Sequence, residues 1–269
     1  MDFDYSYRDL LSAYKKIHLK KNDIIYLTGN LISLGKFYKK DILNEHYKAL
    51  NNILGKAGTI TFPTHTFNLV NKKKIFDLKK TISETGAFTE FLRKRKGSIR
   101  QSHPFSSITG IGKKARYICS NNTPHVYGPH SPFDRLIDLN AKFICFGISP
   151  NLTASQVHHA EFMMNVPYRY SKTFLHKIKN INGKVKLKEF YLFVLYKELI
   201  GLKRERNKKI FKHFEKKNKI KKAKLGKGYI YSYSLKDFYN SNIELLKKDI
   251  YCWLSNEARL KFKKIKNKD

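Results

Sequence analysis

The chain has 269 residues, of which 41% are hydrophobic, a proportion typical of globular proteins. No stretch reaches the roughly 18 uninterrupted apolar residues of a membrane span, and residues 1–20 lack the apolar segment of a signal peptide. Three scattered cysteines, Cys119, Cys145 and Cys252, are too few for a disulfide framework. These features predict a cytoplasmic globular protein with no membrane partner.

The net charge is the unusual feature of the composition. Fifty-five lysines and arginines outnumber 21 aspartates and glutamates, which leaves +34 at pH 7. A field of that strength attracts anions, whether nucleic acid, a membrane surface, coenzyme A or a nucleotide sugar. Most of the excess is lysine, accompanied by abundant asparagine and isoleucine, a bias that a low-GC coding sequence also produces. The charge is therefore compatible with an anionic partner, but it assigns no function by itself.

The first part of the chain has the pattern of a βαβ unit. Residues 1–20 carry apolar residues at helical spacing, and 23–27 form a short apolar run typical of a strand. A helical segment follows over about 40–54, and the β-branched and aromatic run 59–62 indicates a second strand. A strand, helix and strand in this order predict a sheet that is at least partly parallel and covered by helices.

The later elements continue the alternation. In chain order we expect a helix over 83–93, a strand within 106–112, a strand over 142–147, a helix over 155–164, a strand over 184–195, a basic helix over 203–224, a strand or hairpin over 226–234 and one or two helices over 235–263. No internal repeat or proline-rich linker is visible. We therefore predict an α/β protein with a single domain over 1–269, a motif-bearing core at about 22–172 and a basic C-terminal subregion at about 173–269.

The segment His158-His159-Ala160-Glu161 carries the sharpest chemical signal. Residues three apart share one face of a helix, so His158 and Glu161 can touch while His159 points about 100° away. A carboxylate against one imidazole nitrogen raises the basicity of the other, which suits a general base that deprotonates an attacking amine. By spacing alone an incidental surface ion pair is the commoner explanation. A zinc site is disfavoured because histidines at i and i+4 are absent.

Three polar loops adjoin the apolar strands and could bind ligands. Residues 28–35 lie between a strand and a helix, where backbone N–H groups can hold a pyrophosphate, although an ordinary βα turn also explains them. Residues 100–107 and 127–136 contain proline and interrupt apolar strands. Loops of this kind commonly carry ligands, but each could be structural.

Taken in order, these segments resemble the aminoglycoside 3-N-acetyltransferase family. The resemblance runs from about Ile24 to Tyr170 and depends on seven short segments in register. They are LISLG at 31–35, GTITFPTHT at 58–66, SETG at 83–86, RQSHP at 100–104 with SITGIGK at 107–113, SPFDRL at 131–136, FGI at 146–148, and SQVHHAE at 155–161 with VPYR at 166–169. Gly29-Asn30 stands where the family usually has Ser-Ser, a departure from the family pattern just before the loop implied for pyrophosphate.

The resemblance implies an acyl-CoA-dependent N-acyltransferase with a three-layer α/β/α fold and a mixed central sheet. The family's Thr-x-x-His-x-Ala-Glu motif falls on 155–161, with His158 as general base and Glu161 as its orienting partner. The positions implied for acyl-CoA are Asn30, Leu31, Ser33, Leu34, Gly35, Ser107, Ser131, Pro132 and Phe133, and those for the acceptor are Thr64, His65, Thr66, Ser155 and Arg169. Direct transfer to the amine needs neither a metal nor an acyl-enzyme, and a homodimer would be ordinary for the family.

The identity of the acceptor amine is the least determined point. An aminoglycoside is a polycation, whereas few acids adjoin the motifs beyond Glu84, Glu90, Asp134 and Glu161. Because like charges disfavour binding, the net charge favours a nucleotide-linked amino sugar, such as a dTDP- or GDP-linked aminodideoxyhexose for surface polysaccharide assembly. We predict that acceptor, with an aminoglycoside antibiotic as the alternative. A nucleic-acid-binding protein is the more distant alternative, since the basic run 203–224 has few aromatic residues.

Overall fold

The structure is a computed structural model that describes residues 3–120, 123–152, 155–202, 206–217 and 219–266, with the side chains of 206–208 excepted. Helices and short 3₁₀ turns connect the strands. The helices are α1 (Tyr7–Lys16), α2 (Ile42–Leu54), α3 (Ala87–Arg93), α4 (Ala115–Cys119), α5 (Pro132–Asp138), α6 (Val157–Met163), α7 (Arg206–Lys216), α8 (Leu235–Lys248) and α9 (Asn256–Lys266). The described part of the chain contains no helix with both the length and the apolar character needed to cross a membrane.

Ten strands form two sheets within the described residues. They are β1 (Ile24–Gly29), β2 (Thr59–Pro63), β3 (Phe76–Asp77), β4 (Ile99–Arg100), β5 (Ile108–Gly112), β6 (Lys142–Phe146), β7 (Arg169–Lys179), β8 (Val185–Leu195), β9 (Lys221–Leu225) and β10 (Gly228–Ser234). The central sheet has the order β4-β5-β2-β1-β6-β10-β9. Its middle strands β2, β1 and β6 are parallel, and both flanks are antiparallel. The predicted mixed sheet is confirmed.

The central sheet is buried on both faces because its middle strands are apolar throughout. Along β1, Ile25 and Leu27 contribute to one hydrophobic core and Tyr26 to the other, as expected from the alternation of side chains in a strand. The first core contains residues of α1, α2 and α3, and the second contains residues of α4 through α9. The two helical layers enclose the sheet, which confirms the predicted three-layer α/β/α architecture.

The second sheet consists of a long hairpin, β7 and β8, and the short strand β3. The sequence pattern predicted only one strand of the hairpin. β7 and β8 pair antiparallel over their full length, from Arg169 opposite Leu195 to Lys179 opposite Val185, and β3 joins β7 in parallel. β8 was expected, but β7 was not, because its apolar residues are interrupted by lysines. Its inner face carries Ile178, which packs with Phe190 of β8 in a third hydrophobic cluster that also contains Leu69, Phe76 and Phe105.

The expectation of one basic helix over 203–224 is wrong in its second half. Helix α7 ends at Lys216, and β9 begins at Lys221. Residues 203–205 and 218 lie outside the described part. Within β9 only Ala223 and Leu225 are buried, a period of two that a strand requires. The lysines between them hid this alternation. Hence the C-terminal region supplies β9 and β10 to the central sheet.

Three buried histidines should make the fold sensitive to mild acid. His46, His103 and His159 are at most 1% exposed, and burial lowers their pKa values to about 3, about 3 and about 4. In the unfolded chain the same rings titrate near the ordinary pKa of about 6.5. Between pH 6.5 and about 4 the unfolded state therefore binds more protons, so stability falls as the pH decreases.

The free energy of unfolding, measured by urea titration, should drop by several kcal/mol between about pH 7 and about pH 5. Glu90, whose pKa is lowered to about 2 with Arg93 and Lys94 as its ionic partners, loses its contribution only below this window. His46→Gln should reduce the pH dependence, because it removes one of the three buried rings. An unfolding free energy that stays constant from neutral pH to pH 5 would contradict the prediction.

Candidate active site

The predicted catalytic pair lies on α6, which follows the central strand β6. The helix is only seven residues long, and Asn165, two residues after its last residue, has a left-handed φ of 48°. The Asn165 amide donates to the Phe162 carbonyl at 3.0 Å, and the chain reverses direction. This reversal brings residues 168 and 169 back against Glu161, so a local turn assembles the surroundings of the carboxylate.

Three side chains converge on the buried carboxylate of Glu161, which is 1% exposed. The Tyr168 hydroxyl donates to Oε1 at 3.1 Å, and Arg169 Nε lies 3.0 Å from Oε2 as an ion pair. His158 Nδ1 also hydrogen-bonds to Oε2. Burial, together with the Glu161 charge, raises the pKa of Tyr168, so its hydroxyl stays protonated and donates. The guanidinium balances the buried negative charge, which an isolated carboxylate would not tolerate.

The contact with Glu161 determines which nitrogen of His158 is available for chemistry. An ionised carboxylate only accepts hydrogen bonds, so Nδ1 carries the proton in the neutral ring and Nε2 keeps its lone pair. The side chain remains 16% exposed, and the ring of Tyr127 lies edge-on with centroids 5.8 Å apart. The arrangement can therefore accept a proton at Nε2 while Glu161 stabilises the imidazolium that forms.

The neighbouring His159 is oriented elsewhere, as helical geometry requires. It is 1% exposed, its Nδ1 accepts from the Gly128 amide at 3.3 Å, and its Nε2 lies 3.9 Å from Asp134. Burial lowers its pKa to about 4, which keeps the ring neutral. His159 connects α6 to the 127–136 loop through these contacts. On this helix, His158 is the histidine that is both partly exposed and bonded to a carboxylate.

The 131–133 segment contributes an aromatic wall beside this pair. The Ser131 hydroxyl accepts from the Asp134 amide at 3.3 Å as the N-cap of α5, followed directly by Pro132. Phe133 stacks on Tyr127 with centroids 5.5 Å apart, and Tyr127 is the ring against His158. The segment is buried, so its contribution to the site is the position of Tyr127.

Ser155 lies two residues before the start of α6. Its side chain hydrogen-bonds to the buried Tyr26 hydroxyl, and its carbonyl accepts from the His158 amide at 3.1 Å. Ser155 thus lies within one turn of His158. The structure brings together Ser155, His158, Glu161, Arg169 and Phe133 from the predicted site residues.

A second group forms where β2 ends beside β5. The Ser107 hydroxyl donates to the Thr64 carbonyl at 2.7 Å and accepts from Arg100 Nε at 3.0 Å. The Thr64 hydroxyl lies 2.8 Å from that of Thr109. Thr64 and Ser107 have no exposed surface, so in this structure their hydroxyls form hydrogen bonds between the end of β2 and the start of β5. Thr66, also buried, is bonded to the Pro104 carbonyl. The ligand contacts predicted for these residues stay predictions.

His65, between these threonines, is half-buried. Its Nδ1 lies 3.2 Å from the Ser106 hydroxyl, and its ring packs against Phe67. Loss of solvent, with the Arg100 charge nearby, lowers its pKa to about 4. A neutral, half-exposed imidazole at a strand end can donate or accept a hydrogen bond, which is compatible with the acceptor role that the resemblance implies.

The loop predicted to hold pyrophosphate, residues 30–35, follows β1. Four of its amides already bond within the chain, those of Asn30, Ile32, Leu34 and Gly35. Among the described residues, the amides of Leu31 and Ser33 make no hydrogen bond, and they are the ones left to receive an anion. Gly147, with φ of 68°, packs against this loop, and a Cβ there would lie 2.2 Å from the Asn30 carbonyl oxygen. This close approach fixes the loop against the end of β6.

The three groups all follow the carboxyl ends of the parallel strands β1, β2 and β6, where ligands bind in open α/β sheets. Sequence reasoning did not assign Tyr168, Tyr127 or Arg100, although each falls inside a segment that it singled out. Their roles depend on contacts with residues that are distant in the sequence or follow a chain reversal, and residue spacing does not predict such contacts. Among the described residues no group of three or more potential ligands could hold a metal ion.

Comparison with known proteins identifies aminoglycoside acetyltransferases. The curated aminoglycoside N(3)-acetyltransferase VII of Streptomyces paromomycinus is 32% identical over 85 residues, 30% of this chain and 28% of the relative. Aminoglycoside N(3)-acetyltransferase III of a Salmonella species is 27% identical over 101 residues, 37% of this chain and 35% of the relative. The matched segments thus span about a third of the length of these curated relatives.

Solved structures match over nearly the whole chain. A binary complex of AAC-IIIb with CoASH has a TM-score of 0.78 at 19% identity and covers 90% of this chain and 96% of its own. AAC-VIa bound to sisomicin has a TM-score of 0.77 at 18% identity, with coverage of 91% and 98%. Aminoglycoside acetyltransferase AAC(3)-Xa has a TM-score of 0.76 at 17% identity, with coverage of 90% and 92%. At these identities the matches establish the fold.

The prediction of a nucleotide-linked amino sugar as acceptor is wrong. The curated relatives are aminoglycoside acetyltransferases, which favours the alternative acceptor. The error came from using the net charge as if it were the charge at the site. Helices α5 and α6 carry three acids, Asp134, Asp138 and Glu161, against one base, Arg135, which is 3% exposed and bonded to the Tyr117 carbonyl. Arg169 balances Glu161, so the excess acids are Asp134 and Asp138, which interact with His159. The net charge of the whole chain therefore does not describe these two helices.

The family profile described as aminoglycoside 3-N-acetyltransferase matches residues 30–247. This range includes the 30–35 loop, the ends of β2 and β6, and the whole of α6. It covers well over half of the 269 residues and agrees with the segments that first suggested the resemblance. This chain belongs to the aminoglycoside 3-N-acetyltransferase family.

Proposed function

We propose that this chain transfers the acyl group of an acyl-CoA, such as acetyl-CoA, to an amine of an aminoglycoside. The observation that carries the proposal is the His158–Glu161 pair, in which a buried carboxylate holds Nδ1 and leaves Nε2 as the basic atom. Family membership and the names of the curated relatives support the reaction class and the acceptor.

In the proposed reaction the amine nitrogen attacks the thioester carbonyl directly. The C–N bond forms as the C–S bond breaks, and CoA leaves as its thiolate. His158 Nε2 takes the proton that the amine loses and can pass it to the departing sulfur, so the ring returns to its neutral state. Glu161 acts through His158 by fixing the tautomer and stabilising the transient imidazolium.

The state of the cysteines supports direct transfer. All three are buried in the structure. Burial raises the pKa of the Cys119 thiol well above its ordinary value and that of Cys252 to about 12. Since the thiolate is the nucleophilic form, neither suits an acyl-enzyme intermediate. Cys145 is 0% exposed and donates to the Ile148 carbonyl at 3.3 Å.

The binding of acyl-CoA is assigned to the 30–35 loop. The unbonded amides of Leu31 and Ser33 fit an anionic diphosphate, and the packing of Gly147 holds them in place. The matched AAC-IIIb structure contains CoASH, which supports this class of ligand. Acceptor binding is assigned to the side of α5 that carries Asp134 and Asp138, because these carboxylates can attract a polycation.

The proposal is tested by following CoA release with a thiol reagent. Purified protein and acetyl-CoA should release CoA with sisomicin, and release should be absent with sisomicin whose 3-amine is already acetylated. A nucleotide-linked amino sugar serves as the second control and should give no turnover. Absence of release with every aminoglycoside offered would contradict the proposed acceptor. The homodimer expected from the resemblance stays a prediction, which light scattering would check.

A further inference from the structure

A cleft apart from His158 is lined by nine basic side chains and, among the described residues, by no acidic one. Its volume is about 670 Å³, and it lies between edge strand β4, helix α4 and the tip of the β7–β8 hairpin. Neither His158 nor Glu161 contributes to its walls. Apart from Arg100, which is bonded to Ser107 and Thr64, these cations have no part in the proposed acyl transfer.

The inner wall of the cleft contains a buried arginine, Arg100, that forms no ion pair with any described carboxylate. Arg100 donates to the carbonyls of Thr81 and Thr64 at 2.6 and 2.7 Å, and Arg93 pairs with Glu90. Carbonyl partners fix the Arg100 guanidinium without neutralising it, and the chain therefore keeps a buried cation next to the cleft.

The rim of the cleft carries further cations that are exposed. They are Lys79, Lys94, Arg116, Lys184, Lys186 and Lys188. Lys94 lies 3.5 Å from Glu90, and within the described chain the other five form no ion pair. Like charges gathered in one concave site repel one another, and an anion bound there would relieve this repulsion.

Three of the rim lysines are placed together by strand geometry. Lys184, Lys186 and Lys188 alternate at or beside β8, so they project from the same face. Lys186 is opposite Ile178, which also lines the cleft. These three lysines therefore line the cleft beside β4. They lie together because of the strand register of the hairpin.

The lining also indicates what kind of anion fits. A volume of about 670 Å³ is that of a small-molecule site and accommodates a nucleotide-sized ligand. None of the described lining residues is aromatic, so the cleft offers no ring on which bases of single-stranded nucleic acid could stack. Serine and asparagine side chains, three isoleucines, Leu78 and Cys119 complete the walls.

We propose that this cleft binds a small, multiply phosphorylated molecule. Two sources share that chemistry. One is the 3′-phosphorylated adenosine end of acyl-CoA, whose diphosphate is assigned to the 30–35 loop, and the other is a free nucleoside polyphosphate. The first source depends on the proposed acyl transfer, and the second does not.

The test uses tripolyphosphate as the probe and isothermal titration calorimetry as the readout, so no turnover is needed. The intact chain should bind it saturably. K184Q/K186Q/K188Q should weaken binding about tenfold or more, since each lysine contributes a modest charge interaction. The matched control K261Q/K263Q/K264Q removes the same charge from exposed positions on α9 and should change affinity less than about twofold.

Competition then identifies the source. If CoA displaces tripolyphosphate, and dephospho-CoA does so less well, the ligand is the phosphorylated end of acyl-CoA. If ATP displaces it and CoA does not, the cleft serves a separate nucleotide. Both results support the site, and either can be obtained even if the chain proves inactive on aminoglycosides.

Three results would overturn the proposal. The first is a lack of saturable tripolyphosphate binding. The second is equal weakening in the two triple variants, which would assign binding to the overall field. The third is an oligothymidylate that binds far more tightly through the same lysines, which would make nucleic acid the ligand.

Discussion

Replacing His158 with alanine should lower kcat for acetyl transfer by about 10²–10⁴-fold while CoA binding persists. The reason is that Nε2 of this ring is the basic atom left after Nδ1 bonds to Glu161. Without it the amine must lose its proton to water. The measurement is steady-state CoA release with sisomicin, combined with calorimetric titration of CoA to show that the variant still binds.

A matched control is available in the same chain. His213 on α7 also pairs with a glutamate, with Nε2 3.2 Å from Glu244 Oε2, but that pair lies on the surface. His213→Ala should leave kcat within about twofold of the intact protein, because exposed ion pairs contribute little. Near-normal turnover in His158→Ala would remove the general base from the mechanism.

Replacing Glu161 with glutamine should affect both stability and catalysis. The glutamine can keep the shape of the carboxylate, but it leaves Arg169 as a buried cation without its counter-ion. Removing one partner of a buried pair costs about 3–5 kcal/mol of unfolding free energy. We also expect kcat to fall about 10²-fold, since the imidazolium on His158 loses its stabilising charge.

The two effects can be separated with a second substitution. Glu161→Gln/Arg169→Met removes the unbalanced cation and should recover much of the lost stability, as measured by urea titration. Its kcat should stay low, because His158 still lacks a carboxylate. Full recovery of kcat would show that Glu161 acts only through stability. Adding Glu161→Gln to His158→Ala should cost little further activity, since the two residues act as a unit.

The sequence alone was sufficient for the fold class and for the helix that carries the candidate base. β1, β2 and β6 were visible because strands buried on both faces are continuously apolar, and α6 was visible from its helical spacing. The contact between His158 and Glu161 is local to one helical turn, so sequence spacing specifies it.

Tertiary structure decided which other groups meet this pair and where the charge lies. Tyr168 and Arg169 reach Glu161 only because the chain reverses at Asn165, and Ser107 is enclosed only because β5 pairs with β2. β9 was mistaken for helix since lysine masks a period of two. Net charge is a sum over the chain, whereas binding responds to the local field, and only the folded chain pairs Arg169 with Glu161 and gathers the lysines in a separate cleft.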